Sequence, residues 1–214
     1  MVTHMSKKLD KSLDSVRVYD LIAEDYAAEF SKPSIMMDEF LALLPSGGKL
    51  VDIGCGHGVD CANAHSKGFD IVGIDLSEQM LSIARRNHPN IDFRLADMRN
   101  LNLPHGEFDG AISSCSLIHV PKDDVPKTLR QIADLLKKGG LLYLWMLSST
   151  DSQELFVDEP FRPGEKTFVN VVSIKEVNSL LADAGFEIIQ QHEREQDQEG
   201  ELGFTNLITF AKKI

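Results

Sequence analysis

Val16, Tyr19, Ile22, Ala23 and Tyr26 recur at three- and four-residue spacing, which predicts an amphipathic helix over residues 15–30. A second helix is expected over 36–44, stopped at Pro45-Ser46-Gly47-Gly48. The pattern then changes. Short apolar runs at 49–53, 70–74, 91–95, 108–114 and 140–147 read as strands, with helices at 59–67, 77–87 and 122–136 among them. Ser77 is placed as an N-cap, and Gly68 stops the helix before it. Lys137-Lys138-Gly139-Gly140 suits the end of the third helix, because cations and glycine favour a helix C-terminus. The run at 140–147 is apolar almost throughout, as a strand buried on both faces should be. Residues 148–170 contain Pro160 and Pro163 and are expected to be irregular, either a lid or poorly ordered. A helix over 173–184, capped by Ser173 and ended by Gly185, precedes a strand pair at 186–192 and 202–212, with the acidic stretch 193–201 between them.

Strands alternating with helices predict a parallel sheet covered on both faces, and the last two strands predict an antiparallel edge. The 214 residues suffice for one such domain: a helical cap over 1–45, a core over 46–147, and a lid with the strand pair over 148–214. The longest apolar run is far short of the ~20 residues that span a bilayer. Lys7, Lys8 and Lys11 are not followed by an apolar stretch, so no secretory signal is expected. Three cysteines at these spacings suit neither a disulfide framework nor a metal site, and the reducing cytoplasm is the expected compartment. A net charge of −11 repels polyanions, so nucleic acid is not an expected partner and a small molecule is. A monomer or a homodimer is expected.

The chemistry concentrates where strands end. Leu50-Val-Asp-Ile-Gly-Cys-Gly-His-Gly58 carries a strand into three glycines and then a helix. Backbone without a Cβ lets a ligand lie across a strand end, and a helix N-terminus favours an anionic group there. The G-x-G-x-G spacing is not the G-x-G-x-x-G of a dinucleotide site, and the Gly-Lys-Ser/Thr of a P-loop is missing. Asp52, inside an apolar strand, must be paired or have a role at the loop. Asp75 ends the second strand, where a carboxylate can accept from ribose hydroxyls. Asp97 follows the third strand and can accept from an adenine amine, while the Met98 backbone N–H can bond a ring nitrogen.

Together with Phe108-Asp109 and residues 136–140, these segments resemble the class I S-adenosylmethionine-dependent methyltransferases, in particular the small-molecule branch called methyltransferase type 11. Tyr19-Asp20-Leu-Ile-Ala-Glu-Asp-Tyr26 and Ala184-Gly185-Phe186 resemble the two ends of that branch's domain. The resemblance spans residues 16–214. It implies a doubly wound α/β fold with a seven-stranded, mostly parallel sheet of order 3-2-1-4-5-7-6, strand seven antiparallel, and helices on both faces. It implies S-adenosyl-L-methionine as cofactor, with Gly54, Cys55 and Gly56 against its methionine part and Asp52 near its amino group. It assigns Asp75 to the ribose and Asp97 with Met98 to the adenine, with Leu76 and Met80 packing on the ring. It sets Tyr26, and with it Tyr19, over the methionine end.

Ser113 to Ser116, at the end of the fourth strand, are expected to line the methyl-transfer site. His119 is the candidate general base nearby, although a structural or positioning role is the preferred reading. Cys115 reads as a small packing residue, since methyl transfer needs no enzyme nucleophile. Phe156, Phe161, Arg162 and Phe168 are substrate-side candidates. Methyl transfer to a small molecule, driven by proximity and orientation, is the function this implies. A non-catalytic cofactor-binding module is the alternative, and a nicotinamide-dependent oxidoreductase is disfavoured by the glycine spacing and by Asp97-Met98.

Overall fold

A computed structural model describes residues 10–195 and 204–214. Lys7, Lys8, Leu202 and most of the acidic stretch 193–201 lie outside them.

The first helix, α1 (Lys11–Glu29), begins four residues before its expected start, because Asp10 caps it by accepting from the Ser12 N–H at 3.1 Å. α2 is short (Met37–Leu41). β1 (Lys49–Ile53), α3 (Val59–Ser66), β2 (Asp70–Asp75), α4 (Glu78–Asn87), β3 (Asp92–Leu95) and β4 (Phe108–Ser114) follow close to the expected spans. Ser77 does cap α4, accepting from the Met80 N–H.

α5 (Val125–Leu135) ends sooner than expected, and β5 (Leu136–Ser148) starts at once. Lys137-Lys138-Gly139-Gly140 is therefore not a helix tail. It forms an irregular start to β5, where the register against β4 shifts between Phe108 and Gly110, and Gly139 takes φ +79°. Lys137 Nζ reaches Asp109 at 2.7 Å rather than the carbonyls of a helix end.

The expectation of an irregular segment over 148–170 is overturned. β6 (Gln153–Asp158) and β7 (Lys166–Val171) form an antiparallel hairpin with Phe156 opposite Phe168. Pro160 and Pro163 lie in its connection, where the chain reverses and ladder donors are not needed. α6 (Ile174–Asp183) is capped by Ser173, with Gly185 beyond it at φ +83°. β8 (Phe186–Glu195) and β9 (Thr205–Lys213) complete the chain.

The main sheet has the order β3-β2-β1-β4-β5-β9-β8. β1 to β5 are mutually parallel, and β9 runs antiparallel to both β5 and β8. This is the doubly wound seven-stranded sheet that the resemblance implies. Alternation along the strands feeds two cores. Val51, Ile53, Leu142 and Leu144 face α5 and α6, with Leu129, Ile132 and Leu181. Leu50, Ile71, Tyr143 and Phe210 face α2 and α3, with Phe40, Cys61 and Ala64. Because β1 pairs in register with both β2 and β4, the loops after β1, β2, β3 and β4 gather at one sheet edge.

Candidate active site

At that edge lies a cleft of about 750 Å³, with α1 as its opposite wall. Ser12, Ser15, Tyr19 and Tyr26 project into it from one stripe of α1, at spacings of three, four and seven. Gly54, Gly56, Asp75, Met98, Cys115 and His119 come from the sheet side.

The glycine loop is set by close packing on one side and open space on the other. A Cβ on Gly54 would lie 2.3 Å from Ser116 Cβ, and one on Gly58 2.7 Å from Phe93 Cζ. Gly56 (φ +53°) has nothing within 4 Å of where its Cβ would be. Its backbone borders open cleft, which is what a ligand laid across the strand end requires. The Gly56 N–H donates to Asp75 Oδ2 and the Ser77 N–H to Asp75 Oδ1, both at 2.8 Å. Burial raises the Asp75 carboxyl above its ordinary value against these bonds. The carboxylate that faces the cleft thus also pins the loop.

At the other end of the cleft Arg99 clasps two carboxylates. Its guanidinium donates to Asp97, with Nη2 to Oδ2 at 2.7 Å, and to Asp10, with Nη1 to the two oxygens at 2.9 and 3.0 Å. Burial opposes ionisation of Asp97, but the Arg99 bonds prevail and hold its carboxyl below the ordinary range. The cap of α1 is thereby tied to the loop after β3.

His119 sits at the back wall. Its Nδ1 is 2.7 Å from the Phe168 carbonyl of β7, which can only accept, so Nδ1 carries the proton. Burial, against that bond, pushes the imidazole down to about 4, so it is neutral at pH 7. Nε2 then accepts from Tyr19 Oη at 3.0 Å. Tyr19 stacks edge-on against Tyr26, with ring centroids 5.5 Å apart. Ser12 Oγ donates to the His119 carbonyl at 2.8 Å, so α1, the turn after β4 and the hairpin are bonded together here. Cys115, between Ser114 and Ser116, holds φ +48°, an uncommon conformation for a residue with a side chain.

A family model described as "Methyltransferase domain" matches residues 28–191. The chain belongs to the methyltransferase domain family. The chain is 31% identical over 142 residues to a tRNA (carboxymethyluridine(34)-5-O)-methyltransferase of Saccharomyces cerevisiae, covering 64% of this chain and 50% of that protein. It is 26% identical over 185 residues to a dTDP-3-amino-3,4,6-trideoxy-alpha-D-glucopyranose N,N-dimethyltransferase of Streptomyces venezuelae, covering 82% of this chain and 76% of that one. It superposes on a crystal structure of SAM-dependent methyltransferases from Methanosarcina mazei with a TM-score of 0.75 at 19% identity, covering 85% and 99% of the two chains. The chain spans about half the length of the first curated relatives it matches.

Of the residues singled out in the sequence, the methyltransferase cleft brings together Tyr26, Gly54, Gly56, Asp75, Leu76, Met80, Asp97, Met98 and His119. Asp52, Cys55 and Ser113 do not line it. Asp52 points the other way, into the α3 face, because it alternates with Val51 and Ile53. Cys61 Sγ donates to it at 3.2 Å, and burial followed by the nearby Asp60 charge pushes its carboxyl well above the ordinary range. Cys55 packs beneath the loop, its thiol raised to about 11 by burial. Ser113 is fully buried against Ser116, 2.9 Å between the hydroxyls. Phe168 is buried in β7, while Phe161 packs on Tyr26 at 6.2 Å between centroids. Arg99, Asp10 and the Ser12–Ser15 face escaped the sequence reading. The Asp97-x-Arg99 spacing was the one local signal, and Asp10 lies in a polar stretch with no apolar period.

Proposed function

We propose that this chain is an S-adenosyl-L-methionine-dependent methyltransferase acting on a small-molecule acceptor. The observation that carries it is Gly56, whose backbone faces open cleft beside the Asp75 carboxylate. The residues suit the cofactor. Asp75 would accept from the ribose hydroxyls, and Asp97, Met98, Leu76 and Met80 would hold the adenine. Gly54 and Gly56 would lie against the methionine part. Cys55 and Asp52 act there through the backbone they carry and the packing beneath it, and Ser113 through the Ser116 it supports. The bound cofactor supplies a methyl group already activated on a sulfonium.

The chain's own part is binding, alignment and exclusion of water. Tyr26 and Tyr19 from α1 close the cleft opposite the glycine loop, and the hairpin backs His119. His119 acts as a positioning residue: its protonated Nδ1 is anchored on Phe168 and its Nε2 holds the Tyr19 hydroxyl. A small-molecule acceptor is favoured over tRNA by the net charge of −11, which opposes a polyanion. The cytoplasm is the compartment we assign, on three free thiols. No described helix is long and apolar enough to cross a membrane.

Calorimetric titration tests the cofactor. S-adenosylhomocysteine is expected to bind and NADH not to, and Asp75→Ala is expected to weaken binding by about 1–3 kcal/mol. Binding of NADH alone would overturn the assignment.

A further inference from the structure

Three hydroxyls of the cleft, those of Tyr19, Ser114 and Ser116, have their protons committed away from it. On the α1 side, Tyr19 Oη donates to His119 Nε2 and keeps only lone pairs for the cleft. On the β4 side, Ser34 Oγ donates to Asp60 Oδ2 at 2.5 Å, so the Ser114 hydroxyl, 2.7 Å from Ser34 Oγ, donates to Ser34. Ser116 Oγ donates to the Ile53 carbonyl at 2.6 Å and accepts from Ser113. Tyr19, Ser114 and Ser116 all line the cleft.

Charge points the same way. Among the described lining residues Arg99 is the one Lys or Arg, and it is engaged by Asp97 and Asp10. At Tyr19, Ser114 and Ser116 an acidic acceptor meets lone pairs, with no free cation among the described lining residues, which leaves polar groups unsatisfied on both sides. A group with N–H donors satisfies them.

We propose that the methyl acceptor is a small amine, its N–H groups donating to Tyr19 Oη and Ser114 Oγ. This rests on the methyltransferase reading above. An alcohol also offers a donor, but it must lose its proton to a base as it reacts, and His119 Nε2 is already occupied by Tyr19. Burial also lowers that imidazole to about 4, which makes it a weak base. An amine that enters as its free base needs none, its ammonium form having first given a proton to solvent. Its nitrogen lone pair forms the new N–C bond, the C–S bond of the sulfonium donor breaks with its pair left on sulfur, and the positive charge passes to nitrogen as an ammonium.

The test is calorimetric binding to the protein saturated with S-adenosylhomocysteine, using shape-matched triplets: benzylamine, benzyl alcohol and benzoate; ethanolamine, ethylene glycol and glycolate. In at least one triplet the amine is expected to bind about tenfold or more tighter than both counterparts. Tyr19→Phe, which keeps the ring, and Ser114→Ala are each expected to weaken that amine about tenfold. Amines that bind no better than their counterparts, or that are indifferent to both substitutions, would overturn the inference. Failure of S-adenosylhomocysteine itself to bind would bring down the methyltransferase reading instead, and the inference with it.

Discussion

The Tyr19 hydroxyl donates to His119 Nε2 at 3.0 Å, joining the N-terminal helix to the turn after β4. The bond requires a neutral ring, and the fold keeps it neutral by burial.

The pH dependence of stability follows from that neutrality. His119 titrates near 4 in the fold and near 6.5 in an unfolded chain. Between those values the unfolded chain holds a proton that the native protein does not, so stability is full above pH 6.5 and falls as pH drops toward 4. At pH 5 the loss is about 2 kcal/mol. His119→Gln removes it. In urea titrations the stability advantage of the wild type over the variant is expected to shrink by that amount between pH 7.5 and pH 5. An advantage independent of pH would mean that His119 titrates in the fold as it does in the unfolded chain, and one that grows toward pH 5 would mean that the native ring is charged.

Two glycines of one loop should separate folding from binding. Gly58→Ala forces a Cβ to 2.7 Å from the Phe93 ring at φ +85°, and is expected to cost about 2–4 kcal/mol of stability. Gly56→Ala meets open space at φ +53°, and should cost about 1 kcal/mol. Yet it is Gly56→Ala that is expected to weaken S-adenosylhomocysteine more than tenfold, because its methyl enters the cleft. Thermal melts and calorimetry on both variants check the pair. Full affinity in Gly56→Ala would move the ligand elsewhere.

Arg99 should govern how firmly the start of α1 is held. Its side chain is 18% exposed, and it bonds Asp10 and Asp97 together. Partial exposure limits the contribution to about 1 kcal/mol. Arg99→Gln is therefore expected to speed amide exchange over residues 11–16 by roughly fivefold, leaving the exchange of β1 and β4 as it was. Unaltered exchange over 11–16 would show that the Ser12 and Ser15 bonds hold the helix alone.

Much of the candidate site's layout was legible because its parts are local. The glycine loop, Asp75 and Asp97-Met98 each follow a strand whose apolar run marks where it ends, and in a parallel sheet those ends share an edge. Asp52 turns away from the cleft for a reason equally local. It stands beside the loop in sequence, but a strand turns alternate side chains to opposite faces, and this one went to Cys61. The hairpin at residues 153–171 was hidden by its prolines, which mark the turn between two strands and not a lack of strands.

The sequence by itself determined the alternation of strands and helices, the glycine loop and the acidic strand ends, since these depend on periodicity and on backbone conformation over a few residues. Tertiary structure alone decided the rest. His119 finds Tyr19 across 100 positions and Phe168 across 49, and Arg99 finds Asp10 across 89. No spacing encodes such partners. They meet because the sheet order, the hairpin and the stripe of α1 converge on one edge, and there the chain sets which oxygens of the cleft have protons to give.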